Sequence, residues 1–125
     1  MNSEEESAWI IANSPRSRFI LDTHNLAYLA GHFDGEGTIG IQPERRRIFL
    51  NVTHTHTPTL ELYKSTFGGG VYFASKGVNK LVWQWTLSKR SAVAMALLAL
   101  TPYLKEKSDK AERALSALNL MLTKT

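Results

Sequence analysis

Two pairs of strand-length segments, each followed by a helical segment, constrain the fold of this chain most strongly. The alternation of apolar and polar residues predicts strands at Thr38–Gln42, Ile48–His54, Val71–Ser75 and Leu81–Leu87. A turn containing Pro43 joins the first pair, and a turn around Gly77-Val78-Asn79 joins the second. Strands joined by such short turns pair antiparallel, so the pattern predicts one antiparallel sheet.

Helical segments precede, separate and follow the two strand pairs. Helices are predicted from His24 to a stop at Gly35-Glu36-Gly37, from Thr57 with Pro58 to Phe67, from Lys89 to Leu100 behind a Ser88 cap, and from Lys105 to Leu122. We expect an α+β fold of αββαββα order, in which a four-stranded antiparallel sheet carries its helices on one face. Residues 24–125 are predicted to form a single domain after a partly ordered lead of residues 1–23, with a short helix at Trp9-Ile10-Ile11.

One face of the predicted sheet is polar and basic. Alternation places apolar residues such as Leu50 and Trp85 on the helix-covered face and leaves Gln, Asn, Thr, Lys and Arg on the open face, with almost no acidic residue. Such side chains bond base edges and phosphates, and a two-stranded ribbon fits the major groove of DNA. The predicted DNA-binding residues are Gln42, Arg45, Arg46, Arg47, Asn51, Thr53, Tyr72, Lys76, Gln84 and Thr86.

The charge of the chain is unevenly distributed. The net charge is +4, yet residues 38–90 hold eight Lys and Arg against two Asp and Glu, a local charge of +6, and residues 1–37 hold two against six. A basic segment that coincides with the predicted sheet favours nucleic acid as a partner. The chain contains no cysteine, which excludes disulfides, thiol nucleophiles and cysteine-based zinc sites.

The first helix has two unusual features. Ala27, Gly31 and Gly35 recur every four residues and form a stripe of small residues, which suggests the close approach of another backbone. Asp34 and Glu36 lie at the negative end of the helix macrodipole, where a positive group such as a divalent cation would compensate them.

This helix end carries a recognisable motif. The segment Leu29-Ala-Gly-His-Phe-Asp-Gly-Glu-Gly37 resembles the LAGLIDADG signature of homing endonucleases, with Glu36 in place of the second Asp. His32, Phe33 and Gly35 depart from the signature at positions where that family varies. Asn51–His54 resembles the end of the family's second strand, and Pro102–Lys107 with Ala111 resembles its basic segment before the last helix, so the resemblance covers about residues 25–122.

The resemblance implies a homodimer, because family members with one copy of the motif pair through it. The implied interface consists of Ala27, Leu29, Ala30, Gly31, Asp34 and Gly35. The two sheets would form a saddle over double-stranded DNA. The implied activity is a double-strand break in a long, near-palindromic DNA target.

The resemblance also implies a Mg²⁺-dependent reaction in which Mn²⁺ is tolerated. Glu36 is the implied metal-binding acid, and the Gly35 carbonyl can also reach the metal. Lys107 matches the family's basic residue near the scissile phosphate. His54 occupies the position of a water-orienting side chain, and its own role is left open between orienting water, acting as a base and binding phosphate.

Several alternatives stay open at the level of the sequence. Pro58 stands where some family members carry an Arg near the cleavage site, and Arg16, Arg18 or Lys89 could replace it. A catalytically inactive RNA maturase or DNA-binding regulator on the same fold is the second hypothesis, and an unrelated basic binding module is the third. We expect an intracellular protein without membrane association, of an organelle (chloroplast or mitochondrion) or of a prokaryotic or phage-infected cytoplasm, and not a secreted one.

Overall fold

The computed structural model describes residues 23–76 and 81–123. Four helices and four strands follow one another in the order α1 (Thr23–Glu36), β1 (Gly37–Gln42), β2 (Arg47–His54), α2 (Thr57–Phe67), β3 (Gly70–Lys76), β4 (Leu81–Leu87), α3 (Arg90–Leu100) and α4 (Ser108–Thr123). Short 3-10 turns follow β1 and α3. Residues 1–22 of the predicted lead, with Trp9-Ile10-Ile11, and the turn at Gly77-Val78-Asn79 lie outside the described residues.

The strands form one antiparallel sheet in the order β1-β2-β4-β3. The two hairpins thus meet at β2 and β4, where Asn51 pairs with Thr86 and Thr53 pairs with Gln84. This arrangement confirms the α+β class and the four-stranded antiparallel sheet.

The helices cover one face of the sheet. Ile48, Leu50 and Val52 of β2 are fully buried, whereas the intervening Phe49 and Asn51 are only partly buried. Trp85 lies at the centre of the core, where its ring stacks on Tyr63 of α2 at 4.8 Å and its indole N–H donates to the Gly68 carbonyl. The buried face therefore matches the apolar side of the predicted alternation.

Three helix starts differ from the sequence prediction. His56 rather than Thr57 is the N-cap of α2, so Thr57 and Pro58 occupy the first turn. Lys89 rather than Ser88 caps α3, because the Lys89 carbonyl accepts the first helical hydrogen bond from Val93. The last helix begins at Ser108 rather than Lys105, and the backbone N–H groups of residues 105–107 donate to a side chain of α1.

Glycine makes the connection from α2 to β3. Gly68 and Gly69 both have positive φ, 91° and 83°, and a Cβ at Gly69 would lie 2.3 Å from the Thr86 carbonyl oxygen. These two glycines form the turn that joins α2 to β3. No helix within residues 23–76 and 81–123 has the length and apolar character to cross a bilayer.

Candidate functional site

The C-terminal end of α1 passes directly into β1 and exposes the Glu36 carboxylate at the junction. The helix ends at Glu36 and the strand begins at Gly37, with no residue between them. A Cβ at Gly37 would lie 2.2 Å from the ring of Phe33, which is fully buried. Only glycine fits under this ring, so Phe33 and Gly37 together fix where the chain turns and where Glu36 emerges.

Asp34 connects this helix end to the segment that precedes α4. Its carboxylate accepts hydrogen bonds from the backbone N–H groups of Lys105, Glu106 and Lys107 at 3.1, 2.9 and 2.8 Å. The Glu106 N–H bond is the main cause that lowers the pKa of Asp34, and the other two N–H groups and the Lys107 ammonium add to it. Asp34 is therefore bound within its own chain, where it braces the helix end.

Lys107 supplies the positive charge that the helix end requires. Its ammonium donates a 2.7 Å hydrogen bond to the backbone carbonyl of Asp34. A cation at the C-terminal end of a helix is stabilised by the macrodipole, and this helix ends at the exposed Glu36. The compensating group that the sequence suggested as a metal is, within one protomer, this lysine.

A buried tyrosine of α2, Tyr63, holds the His32 side chain in place. The Tyr63 hydroxyl donates to the Leu29 carbonyl at 3.1 Å, so it accepts from the His32 Nδ1–H at 2.9 Å. This assignment leaves the Nε2 atom of neutral His32 as an acceptor, and that atom is buried without a hydrogen-bond partner. Burial raises the pKa of Tyr63, so its hydroxyl stays protonated and holds this arrangement.

His54 lies against His32 at the end of β2. The two imidazole rings are 5.1 Å apart between centroids, and the His56 N–H donates to His54 Nδ1 at 2.8 Å. Burial lowers the pKa of His32, the charge of His54 lowers it further, and Glu36 raises it. His32 therefore lies within electrostatic reach of both Glu36 and His54, two of the predicted catalytic residues.

One protomer offers an incomplete set of metal ligands. Glu36 is exposed, and a Cβ at the neighbouring Gly35 would meet no atom within 4 Å, so the surface beside this carboxylate is open. Among the described residues no three His, Asp or Glu side chains converge as a metal site. Carboxylate and carbonyl oxygens suit Mg²⁺, and these residues fit such a metal when a second Glu36 is brought alongside by another copy of the chain.

The stripe of small residues on α1 faces outward. Ala27, Gly31 and Gly35 are exposed, and a Cβ at Gly31 would also meet no atom within 4 Å. Leu29 and Ala30 are fully buried in the core of the chain, so the predicted interface has to be corrected for these two residues. The surface that α1 can present to a partner helix consists of the stripe itself.

The open face of the sheet brings most of the predicted DNA-binding residues together. Pairing across the sheet forms two polar rows, Thr38–Asn51–Thr86–Gly70 and Thr53–Gln84–Tyr72, and Gln42 pairs with Arg47 at the outer end. Gln84 donates to the Thr53 hydroxyl at 3.5 Å, and Tyr72 is 62% exposed. These side chains form a polar surface at the face opposite the helices.

Two predicted DNA-binding residues have different surroundings. Arg46 adopts a left-handed backbone conformation, with φ of 51°, and its guanidinium donates to the Met121 carbonyl near the end of α4, on the helix-covered side. The structure thus gives Arg46 a role in holding the turn to α4. A bulge between Phe73 and Ser75 shifts the register of β3, so the backbone of Lys76 pairs with Leu81.

Sequence reasoning missed two residues at this site. His32 was assigned to a variable position of the motif, and Tyr63 was not singled out at all. Their spacing of 31 residues carries no local pattern, and only the packing of α2 against α1 brings them together. A histidine on an otherwise apolar helix surface was the available signal.

Comparisons with known proteins bear on the fold. No protein-family model matches the sequence, and no curated protein is similar enough to be matched. Solved structures do match. The homing endonuclease I-CvuI, in complex with an I-CreI target in the presence of Mg, is 24% identical over 78% of this chain and 68% of its own, with a TM-score of 0.63.

Two further structures show the same likeness at lower identity. The archaeal intron-encoded homing endonuclease I-Vdi141I, complexed with DNA, is 14% identical over 82% of this chain and 72% of its own, with a TM-score of 0.67. The homing endonuclease I-TnaI is 18% identical over 78% of this chain and 74% of its own, with a TM-score of 0.63. The chain therefore has the fold of the LAGLIDADG homing endonucleases, and the resemblance seen in residues 29–37 is confirmed at the level of the fold.

Proposed function

We propose that this protein is a site-specific DNA endonuclease that makes a double-strand break in a long, near-palindromic target. The observation that carries the proposal is the grouping of an exposed carboxylate, an anchored ammonium and an imidazole at the end of one helix, Glu36, Lys107 and His54. The helix that ends at Glu36 continues directly into β1 of the sheet. The solved structures with this fold are homing endonucleases, and two of those described above were solved as complexes with DNA.

The proposed active form is a homodimer with two-fold symmetry. Each protomer has one Glu36, and the exposed stripe of Ala27, Gly31 and Gly35 leaves room for a second α1 helix to pack closely. Pairing along this stripe brings the two motif ends together and sets the two sheets side by side over the DNA. The site is thus complete only in the dimer.

The proposed metal ligands are the Glu36 carboxylate and the Gly35 carbonyl from each protomer. Bound Mg²⁺, or Mn²⁺ in its place, would supply Lewis-acid activation of water and stabilisation of the leaving oxygen. The structure of I-CvuI with DNA was obtained in the presence of Mg or Ca, which is consistent with a divalent ion in this fold.

The remaining residues have roles that follow from their contacts. Lys107 is held at the helix end by the Asp34 carbonyl, and its ammonium would stabilise the charge that develops on the scissile phosphate. The His54 Nδ1 atom accepts from the His56 N–H, so neutral His54 carries its proton on Nε2, from which it would donate to a water or a phosphate oxygen. His32 supports His54 from the side of the helix.

A catalytically inactive nucleic-acid-binding protein is the second candidate. The Lys107 contact favours the endonuclease, because an ammonium held at the end of the helix that presents the exposed Glu36 carboxylate serves cleavage and adds little to sequence reading. As an endonuclease of this kind the protein would act inside the cell or organelle that holds its target DNA.

The proposal is tested by selecting cleavable duplexes from a randomised DNA library in the presence of Mg²⁺. We expect the wild type to enrich a near-palindromic sequence and to cut both strands. Glu36→Gln should bind the enriched duplex and lose cleavage by on the order of 100-fold or more, because the neutral amide is a poor ligand for Mg²⁺. Glu112→Gln, which changes an exposed carboxylate of α4, is the matched control and should cut normally.

Two results would contradict the proposal in different ways. A wild type that binds a duplex tightly and cuts it with neither Mg²⁺ nor Mn²⁺ would support the inactive binder instead. A protein that sediments as a monomer on its cleaved duplex would exclude the shared site at the dimer axis.

A further inference from the structure

The open face of the sheet is polar, yet it includes an aromatic side chain, Phe49. Phe49 pairs directly with Gly40 across β1 and β2. A Cβ at Gly40 would lie 2.1 Å from the Phe49 Cζ atom, so the ring occupies the space that any other side chain at position 40 would fill. The ring is therefore seated over a glycine and fixed to the sheet on one side.

The guanidinium group of Arg47 lies over the Phe49 ring. The guanidinium carbon of Arg47 lies 4.7 Å from the centroid of the Phe49 ring, within the range of a cation–π contact. Arg47 precedes Phe49 by two residues on β2, and both side chains belong to the open face. Gly40, Phe49 and Arg47 thus form a stack of three layers on the open face.

This stack distinguishes Arg47 from the other two arginines of the run. Arg45 lies in the exposed 3-10 turn, and the guanidinium of Arg46 is bonded to the carbonyl of Met121 on the helix side. Arg47 lies on a strand and is held by a ring on the open face. A held arginine fork presents its N–H donors in a fixed direction, which suits bidentate recognition of a base edge or a phosphate, whereas a freely moving arginine mainly contributes charge.

We propose that Phe49, seated on Gly40, is a positioning residue that orients Arg47 to read one guanine in the major groove. The inference rests on the proposed function, because it needs DNA on this face of the sheet. Guanine presents two acceptors, N7 and O6, that match the planar fork of arginine. Stacking one face of the guanidinium on a ring leaves its N–H edge available and reduces the conformational entropy lost on binding.

The test compares base preferences of variants on a randomised double-stranded DNA library, selected by binding in Ca²⁺. Arg47→Gln first identifies the position that Arg47 reads, as the place where the preference for guanine disappears, once in each half-site of a dimer. Phe49→Leu should weaken the guanine preference at that same position by about two- to fivefold, the size of an exposed cation–π contact. Phe49→Tyr keeps the ring face and should retain the wild-type preference.

Gly40→Ala provides an independent variant that leaves Phe49 itself unchanged. The added methyl displaces the ring, so the same position should lose preference as in Phe49→Leu. Tyr103→Leu is the matched control, because Tyr103 is an exposed aromatic side chain in the 3-10 turn after α3, outside the sheet. This variant should leave the base preference at the Arg47 position unchanged.

The outcomes separate this inference from the proposed function. A wild type that enriches no duplex contradicts both. A wild type that enriches a sequence while Phe49→Leu and Gly40→Ala keep the full guanine preference contradicts the positioning role alone. A uniform loss of affinity in Phe49→Leu, with the base preference kept, also overturns it, since the ring would then serve only to stabilise the sheet.

Discussion

The carboxylate of Asp34 joins two segments of the chain that are 71 to 73 residues apart. Three consecutive N–H groups, those of residues 105–107, donate to it, and the Lys107 ammonium donates separately to the Asp34 backbone carbonyl. Asp34 thereby holds the segment before α4 and the proposed catalytic ammonium at the end of α1. The resemblance assigned Asp34 to the dimer interface, whereas the structure shows its carboxylate bound within its own chain.

Asp34→Ala should destabilise the protein and impair the placement of Lys107 together. Loss of a capping carboxylate costs roughly 1 kcal/mol of unfolding free energy. The pKa of Asp34 is lowered in the folded protein, so the unfolded chain binds its proton more readily. The stabilisation is therefore complete above the ordinary aspartate pKa of about 4 and is lost as the pH falls through the lower folded value. Urea unfolding of the wild type and of Asp34→Ala between pH 3 and 7 measures the difference in their unfolding free energies.

The matched control for this prediction is Glu112→Ala, which removes an exposed carboxylate from α4. Its effect on the unfolding free energy should stay within about 0.5 kcal/mol. If Asp34→Ala were as harmless as the control at neutral pH, the contact to residues 105–107 would contribute nothing to stability.

The exposed stripe of small residues on α1 contains two glycines, Gly31 and Gly35. Gly31 and Gly35 lie in the interior or last turn of a helix, where glycine costs about 1 kcal/mol relative to alanine. Neither is required by the packing of its own chain, because a Cβ at either position would meet open space. The structure therefore removes one explanation for the stripe, close packing within the protomer, and strengthens the case for a partner helix.

Gly31→Leu should abolish dimerisation without harming the fold of the protomer. The leucine side chain has room on the isolated protomer and favours the helix, so the thermal midpoint of the monomer should not fall. Between two packed helices it would separate the backbones. Analytical ultracentrifugation of the free protein and of its DNA complex measures the result, and Gly31→Ala, with one small methyl, is the milder comparison. An unaffected Gly31→Leu dimer would show that α1 is not the interface.

A helix or strand could be predicted from the sequence where the residues that determine it lie close together in the chain. The alternation in β2 and β4 acts within a few residues, and the structure confirms it. The start of α4 was misplaced by three residues, and the segment before it binds a carboxylate of α1 that lies 71 to 73 residues away in the sequence. The bulge in β3 leaves no comparable local pattern, and it changes the register in which the Lys76 backbone pairs.

At the scale of the whole molecule, the candidate site depends on tertiary contacts more than the fold does. Glu36 and Lys107 were predicted from the motif and the basic segment, since both lie in recognisable stretches of sequence. The contact of His32 with Tyr63 and His54, and the seat of Phe49 on Gly40, arise only when α2 packs and the strands register. A single sequence contains these residues without any sign that they meet.

The proposed symmetry of the whole molecule has a consequence that a salt titration can measure. Each phosphate contact by Lys or Arg contributes about 0.9 to the slope of log affinity against log salt concentration. In a symmetric dimer every substitution removes two such contacts. Arg45, exposed in the turn between β1 and β2, is placed for a phosphate contact at the end of the open face.

Arg45→Gln should therefore reduce the salt slope by about 1.8 in the dimer on its near-palindromic duplex, and by about 0.9 if one protomer binds alone. Arg113→Gln removes the same charge from the exposed surface of α4 and serves as the matched control, with an unchanged slope. Equal changes in the two variants would mean that the protein responds to its net charge and that the open face has no special part in binding. A change of about 0.9 for Arg45→Gln alone would place DNA on the open face while contradicting the symmetric dimer, so this one measurement tests the binding surface and the stoichiometry separately.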